Sequence, residues 1–122
     1  TPRLAVTDVD GALDMHEESD CYVINVAREI DSPCDYKLPV APFIHGPEEV
    51  RAALDTLADV IHDQLEGTDN RVVVHCFAGM ERSVLTCVWY LCEHQGMSMD
   101  EAYETVREVR PVALDRREWV RG

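Results

Sequence analysis

Lysine is almost absent from this sequence: Lys37 is the only one, and ten arginines supply the rest of the positive charge. Asp and Glu number 24 against 11 Lys and Arg, so the formal net charge is −13. Nucleic acids and anionic membrane surfaces repel such a chain, so we expect neither as a partner. Because salt screens self-repulsion, this composition is typical of proteins from salt-accumulating cytoplasms. An ordinary acidic mesophilic domain is the alternative.

Long apolar runs and metal-binding spacings are also missing. No run approaches the roughly 20 apolar residues of a membrane-spanning helix. Residues 1–10 have neither a basic nor an apolar leader region, so we expect no signal peptide. The five cysteines include no C-x-x-C pair, and the five histidines show no metal-type spacing. We therefore expect reduced thiols, a cytoplasmic location, and no metal or other cofactor.

The length of 122 residues and the 46% hydrophobic content fit a single globular domain over residues 1–122. Strands are predicted from short β-branched runs at residues 4–6, 21–27, 36–40 and 71–75. Helices are predicted at residues 11–16 (or a turn), 47–67, 84–96, 98–109 and, as the start of a last helix, 115–120. This alternation predicts an α/β fold with a central, mostly parallel sheet of four to five strands flanked by helices. In such sheets ligands bind at the carboxyl ends of the strands.

The chemistry is concentrated in residues 75–83, which read His-Cys-Phe-Ala-Gly-Met-Glu-Arg-Ser between a predicted buried strand and a predicted buried helix. Cys76 precedes a helix N-terminus, where backbone N–H groups lower the pKa of a thiol. Arg82 can bind two phosphate oxygens with its planar guanidinium. Gly79 allows the loop to bend around an oxyanion, and Ser83 can hydrogen-bond the thiolate. We interpret the segment as a nucleophile and phosphate site; a structural cysteine is the alternative.

The pattern H-C-x-x-G-x-x-R-S resembles the signature loop of the cysteine-dependent protein phosphatases, most closely the dual-specificity subgroup. Residues 3–8 and 23–26 are similar to the family's first two strands, and residues 96–111 resemble its late helix and the following turn. The low-molecular-weight phosphatases have the same Cys–Arg spacing, but near their N-terminus. Rhodanese-type domains share a cysteine loop but lack the flanking His and Arg-Ser.

The resemblance implies a two-step reaction without a metal. Cys76 attacks phosphorus and forms a cysteinyl-phosphate, while Arg82 and the loop amides stabilise the equatorial oxygens. His75 is expected to orient the loop, and Ser83 to assist departure of the thiolate. The expected substrate-binding residues are Phe77, Ala78, Gly79, Met80, Glu81 and Arg82.

The general acid of the reaction does not fit the resemblance. The family carries it as an Asp on the loop after the third strand, but residues 39–47 contain no carboxylate. His45 within this loop is one candidate. Glu48 and Glu49 just beyond it are others. The remaining alternative is that the acid is absent, with Ala41 or Pro42 at its position.

The composition of the loop narrows the class of substrate that the sequence predicts. Residues 77–81 contain no Lys or Arg, and Glu81 is expected to repel polyanions such as inositol polyphosphates and RNA triphosphate ends. We predict a monomeric protein phosphatase acting on phosphotyrosine, with phosphoserine and phosphothreonine as further candidates. The alternatives are a phosphatase of a small metabolite and a phospho-residue binding module with impaired catalysis.

Overall fold

The computed structural model describes residues 3–121. Four strands lie at β1 (Leu4–Thr7), β2 (Cys21–Asn25), β3 (Tyr36–Lys37) and β4 (Arg71–His75). Four α-helices lie at α1 (Val9–His16), α2 (Pro47–Gly67), α3 (Arg82–Gln95) and α4 (Met99–Val109). A 3₁₀ turn, Arg117–Val120, stands where the sequence predicted the start of a last helix.

The strands form one sheet in the order β1-β4-β2-β3, and every pairing is parallel. The predicted parallel sheet flanked by helices is therefore confirmed, with β4 inside it and β1 at an edge. In the register, His75 lies between Thr7 of β1 and Asn25 of β2. Three strands thus end side by side at His75. The third strand is shorter than predicted. The Leu38 and Val40 N–H groups still donate to the Asn25 and Val26 carbonyl oxygens, but two residues now advance against one on β2, so the regular ladder ends at Lys37.

Each side of the sheet is covered by helix. Val23 and Val73 pack with Ala12 of α1 on one side. The larger core on the other side joins Ile24, Val72 and Val74 to residues of α2, α3 and α4. The alternation of neighbours such as Val23 and Ile24 between the two cores follows from the two-residue period of a strand. Both faces of β4 are therefore buried, as its continuous β-branched sequence predicts.

Local signals set the helix ends. Pro47 opens α2, whose buried residues recur every three or four positions. Gly96 ends α3 in the left-handed conformation, with φ at 69°. A capping box between Ser98 and Glu101 starts α4. Within residues 3–121, no helix is both long and apolar enough to span a membrane.

Candidate active site

The loop of residues 76–81 connects the end of β4 to the start of α3. Gly79 adopts a φ of 69°, and a Cβ there would lie 2.5 Å from the carbonyl carbon of Thr7. Both the left-handed backbone and the close approach to β1 therefore require glycine. A hydrogen bond from the Val9 N–H to the Phe77 carbonyl oxygen, 3.1 Å, also ties the loop to the start of α1.

The thiol of Cys76 is buried at the base of this loop. Its Sγ lies 3.2 Å from the Oγ of Ser83. Burial raises the pKa of the Cys76 thiol, but hydrogen bonds from the Ser83 side chain and from the backbone N–H groups of Ser83, Gly79 and Glu81 outweigh it. The net pKa lies below the ordinary thiol value, which favours the thiolate. This is the environment that the strand-to-helix position predicted.

His75, the residue immediately before Cys76, is fully buried. Its Nδ1 lies 3.0 Å from the carbonyl oxygen of Cys76, and its Nε2 lies 3.4 Å from the Oγ of Ser32. A carbonyl oxygen only accepts, so Nδ1 carries the proton and donates. Burial lowers the pKa of His75, although the bond to the Cys76 carbonyl opposes it. A neutral ring in one tautomer is thus suited to fixing the backbone of Cys76.

Arg110, the residue just after α4, donates hydrogen bonds to the loop of residues 76–81. Its Nε and Nη2 donate to the carbonyl oxygens of Gly79 and Ala78, at 3.1 and 3.0 Å. The Leu114 N–H donates to the Met80 carbonyl oxygen at 2.8 Å. These bonds satisfy three loop carbonyl oxygens, while the N–H groups of Gly79 and Glu81 donate to the Cys76 thiol. Sequence reasoning placed Arg110 in a turn but gave no sign of this contact.

A cavity of about 330 Å³ opens above Cys76. Its walls are Arg28, Glu29, residues 40–44, Cys76, Phe77, Ala78, Met80, Glu81, Arg82 and Trp119. The structure thus brings together every residue of the predicted substrate-binding set except Gly79, which is buried against Thr7. Aromatic rings surround the mouth. Phe43 is 89% exposed, Phe77 is 59% exposed, and Phe43 meets Trp119 edge to face at 5.9 Å.

Arg82 is held by a carboxylate that sequence reasoning missed. Its Nη1 and Nη2 donate to Oε1 and Oε2 of Glu29 at 2.6 and 2.7 Å. The hydrogen bonds from Arg82 lower the pKa of Glu29 to about 2, against the opposing effect of burial. Nothing in the sequence distinguishes Glu29 from the other 23 acidic residues, because the pair spans 53 positions. The second carboxylate at the cavity, Glu81, is paired with Arg116 at 3.2 Å.

The structure does not bring His45 to Cys76. His45 lines a separate groove and lies 3.8 Å from the carboxylate of Glu49. Glu48 and Glu49 stand in the first turn of α2, and neither lines the cavity. Ala41 does line it, on the wall formed by residues 40–44, which are all apolar. Among residues 3–121, the carboxylates on the cavity wall are those of Glu29 and Glu81, and each is paired with an arginine.

Comparison with known proteins decides the family. The family described as "Dual specificity phosphatase, catalytic domain" matches residues 14–121. The chain belongs to this family. The resemblance predicted from the signature loop is therefore confirmed.

Dual specificity protein phosphatase 14 of Mus musculus is 38% identical over 76 residues, covering 62% of this chain and 37% of that protein. Dual specificity protein phosphatase 16 of Homo sapiens is 33% identical over 96 residues, covering 74% of this chain and 14% of that protein. The chain thus spans well under half the length of these two relatives.

Solved structures agree on the fold. Human DUSP28 superposes with a TM-score of 0.81 at 23% identity, covering 98% of this chain and 84% of that one. DUSP15 superposes with a TM-score of 0.76 at 25% identity, covering 98% and 81%. The four-stranded parallel sheet and its flanking helices are therefore those of dual-specificity phosphatases.

Proposed function

We propose that residues 1–122 form one catalytic domain that hydrolyses phosphorylated protein side chains through a cysteinyl-phosphate on Cys76. The observation that carries this proposal is the position of the Cys76 thiol, buried at the base of the cavity within reach of Ser83 and of three backbone N–H groups. Arg82 lines the same cavity. A low-pKa thiolate that shares a cavity with a guanidinium is suited to attack a phosphoryl group whose oxygens the arginine binds.

The proposed reaction has two steps, and residues of the loop and of the start of α3 act in each. The Cys76 thiolate forms a bond to phosphorus while the bond from phosphorus to the side-chain oxygen breaks, and that oxygen leaves with the electron pair. Loop N–H groups and Arg82 stabilise the charge on the three equatorial oxygens. Water then attacks phosphorus, the bond from sulfur to phosphorus breaks, and the Ser83 hydroxyl donates to the returning thiolate. Inorganic phosphate is the product.

Phosphotyrosine is the substrate that the cavity favours. The aromatic mouth formed by Phe43, Phe77 and Trp119 offers faces and edges for packing a phenyl ring. The part of the wall formed by residues 40–44 has no group that can protonate a leaving oxygen. A tyrosine phenol has a pKa of about 10, so its oxygen leaves with less help than the more basic alkoxide of serine. Phosphoserine and phosphothreonine are therefore slower substrates in this proposal.

The charge and the free cysteines of the chain bear on the conditions in which the enzyme works. We propose that it acts as a monomer in a reducing cytoplasm rich in salt, without nucleic acid as a partner. The five cysteines are free thiols, which is typical of a reducing compartment. The net charge of −13 disfavours nucleic acids and is best tolerated where salt screens it. A metabolite phosphatase and a non-catalytic binding module are disfavoured by membership in a protein phosphatase family.

Turnover of a phosphotyrosine peptide tests the proposed activity. We expect phosphate release by the wild type, inhibition by vanadate, and no release by Cys76→Ser. Cys34→Ser is the matched control, because Cys34 is a partly exposed thiol that does not line the cavity. Binding of the peptide without phosphate release by the wild type would favour the binding module. Release by Cys76→Ser at the wild-type rate would refute the cysteine mechanism.

A further inference from the structure

Arg28 lines two spaces at once, the cavity that contains Cys76 and the neighbouring groove that contains Tyr36 and His45. We infer that Arg28 binds a second anionic group, which the substrate chain carries close to its phosphotyrosine. This group is a carboxylate of Asp or Glu, or a second phosphoryl group. The inference rests on the proposed function, because it assigns the cavity to phosphotyrosine.

The charged groups on the cavity wall leave Arg28 without a partner. The carboxylate of Glu29 pairs with Arg82 at 2.6 Å. The carboxylate of Glu81 pairs with Arg116 at 3.2 Å. Among the residues that the structure describes, the Arg28 guanidinium forms neither an ion pair nor a hydrogen bond. Its positive charge is therefore available to a ligand, in a chain whose formal net charge is −13.

The groove beside the cavity is suited to the chain that flanks a phosphotyrosine. Its volume is about 560 Å³, and its walls include Tyr36, Leu38, Pro39 and Ala52. These walls offer apolar contact to the backbone and aliphatic side chains of an extended peptide. Because Arg28 lines both spaces, a substrate chain that continues from the cavity into the groove passes its guanidinium.

The backbone that carries Arg28 is held in a turn directly after β2. The Ile30 N–H donates to the Ala27 carbonyl oxygen at 3.4 Å, and Arg28 lies between them. The fully buried Asn25 side chain spans the same turn: its Oδ1 accepts from the Ala27 N–H at 2.8 Å, and its Nδ2 donates to the Ile30 carbonyl oxygen at 2.7 Å. The backbone of Arg28 is thus fixed before a ligand arrives, and only its side chain has to become ordered on binding.

The size of the cavity limits where the second anion can lie on the substrate. A volume of about 330 Å³ corresponds to a space roughly 9 Å across. An extended chain advances about 3.3 Å per residue, so the anion that reaches Arg28 lies within about three positions of the phosphotyrosine. Acidic residues further along the chain gain less, because Glu49 lines the groove and repels them.

The test uses three peptides that differ only in the residues next to one phosphotyrosine. The adjacent positions on both sides hold Glu in the first peptide, Gln in the second and phosphoserine in the third. One readout is kcat/KM for loss of the tyrosine phosphate, followed by mass spectrometry so that phosphoserine is counted separately. The other is the affinity of each peptide for the Cys76→Ser domain by calorimetry, which needs no turnover.

The variants are Arg28→Gln, Arg28→Lys and the control Arg121→Gln, each made in the wild-type and in the Cys76→Ser domain. Arg121 is exposed and lines neither the cavity nor the groove, so its substitution removes the same charge elsewhere. The ratio between two peptides is compared within each variant, so a general loss of activity cancels. The thermal midpoint checks that each variant folds.

We expect the wild type to prefer the Glu peptide to the Gln peptide by about two- to fivefold, the range of an exposed ion pair. The phosphoserine peptide should be preferred by more, because its phosphate carries more charge and three acceptor oxygens. Arg28→Gln should remove both preferences. Arg28→Lys should keep part of each, because an ammonium retains the charge but not the planar two-point contact. Arg121→Gln should match the wild type.

The outcomes separate this inference from the proposed function. A preference that survives in Arg28→Gln would overturn the inference, and so would a wild type that does not distinguish the peptides. A preference for one anion alone that disappears in Arg28→Gln supports the inference and identifies the anion. A wild type that binds the peptides without releasing phosphate refutes the proposed function alone, since the affinities measured with the Cys76→Ser domain still decide the role of Arg28.

Discussion

The hydroxyl of Ser83 lies 3.2 Å from the sulfur of Cys76, across the six-residue loop that separates β4 from α3. Both groups are buried, and the hydroxyl is the one side chain among the donors that lower the pKa of the thiol. In the proposed mechanism this contact links the two chemical steps, because the same sulfur is the nucleophile in the first and the leaving group in the second.

Ser83→Ala should raise the pKa of Cys76, because the side-chain donor is lost while burial remains. The thiolate fraction at neutral pH then falls, and the pH at which iodoacetate alkylates Cys76 at half-maximal rate moves upward. The cysteinyl-phosphate should also break down more slowly, which appears as a burst of product in stopped-flow traces. Ser19→Ala, at an exposed position before β2, is the control. An unshifted alkylation profile would contradict a role for the hydroxyl.

Ala41→Asp should supply the missing proton donor, because Ala41 lines the same cavity as Cys76. General acid catalysis contributes about 10²–10⁴-fold, and most of it is needed for poor leaving groups. We expect kcat to rise on a phosphoserine peptide and to change little on an aryl phosphate. Steady-state kinetics on both substrates, with the thermal midpoint as a check of folding, measure this.

Two control variants accompany Ala41→Asp. Ala52→Asp places the same charge on an exposed position of α2 and should change neither rate. His45→Ala should also leave both rates unchanged, because His45 lines a different groove. A large loss of activity in His45→Ala would show that the loop of residues 40–45 rearranges when substrate binds.

Gly79→Ala should destabilise the domain. The positive φ alone costs about 1–3 kcal/mol for a residue with a Cβ, and the new methyl group would meet the backbone of Thr7 at 2.5 Å. Gly46→Ala is the matched control, because φ is −73° there and a Cβ would have no neighbour within 4 Å. Urea unfolding should show a lower midpoint for Gly79→Ala only. Equal midpoints for the two variants would contradict the strain argument.

Salt should raise both stability and activity. The net charge of −13 repels itself and a phosphorylated substrate, and at 1 M salt the Debye length is about 3 Å, which screens most of that repulsion. The thermal midpoint and kcat/KM should increase from tens of millimolar to molar potassium chloride. Flat values of both over this range would indicate an ordinary acidic domain.

Much of the fold could be predicted because its signals are local. The β-branched run of β4, the apolar period of α2, the left-handed Gly96 and the capping box of α4 each depend on a few neighbouring residues. The signature loop is equally local, since Cys76 and Arg82 lie six positions apart. Their shared cavity follows from one strand-to-helix connection.

The contacts that sequence reasoning missed are long-range. Glu29 meets Arg82 across 53 positions, and Arg110 reaches the loop carbonyls across 31 or more. The side chains involved are charged and partly exposed, so no periodicity marks them. The placement of His45 away from Cys76 was also beyond sequence reasoning, because it depends on the path of an irregular loop that contains two prolines before α2.

Acid quenching during turnover gives the most direct measurement of the cysteine mechanism. The domain is mixed with a phosphotyrosine peptide, denatured in acid within the first turnovers, digested and analysed by mass spectrometry. The structure predicts one added phosphoryl group on the peptide that contains Cys76, and none in Cys76→Ser. Rapid turnover with Cys76 unmodified, or with the phosphoryl group on another residue, would contradict the cysteinyl-phosphate mechanism.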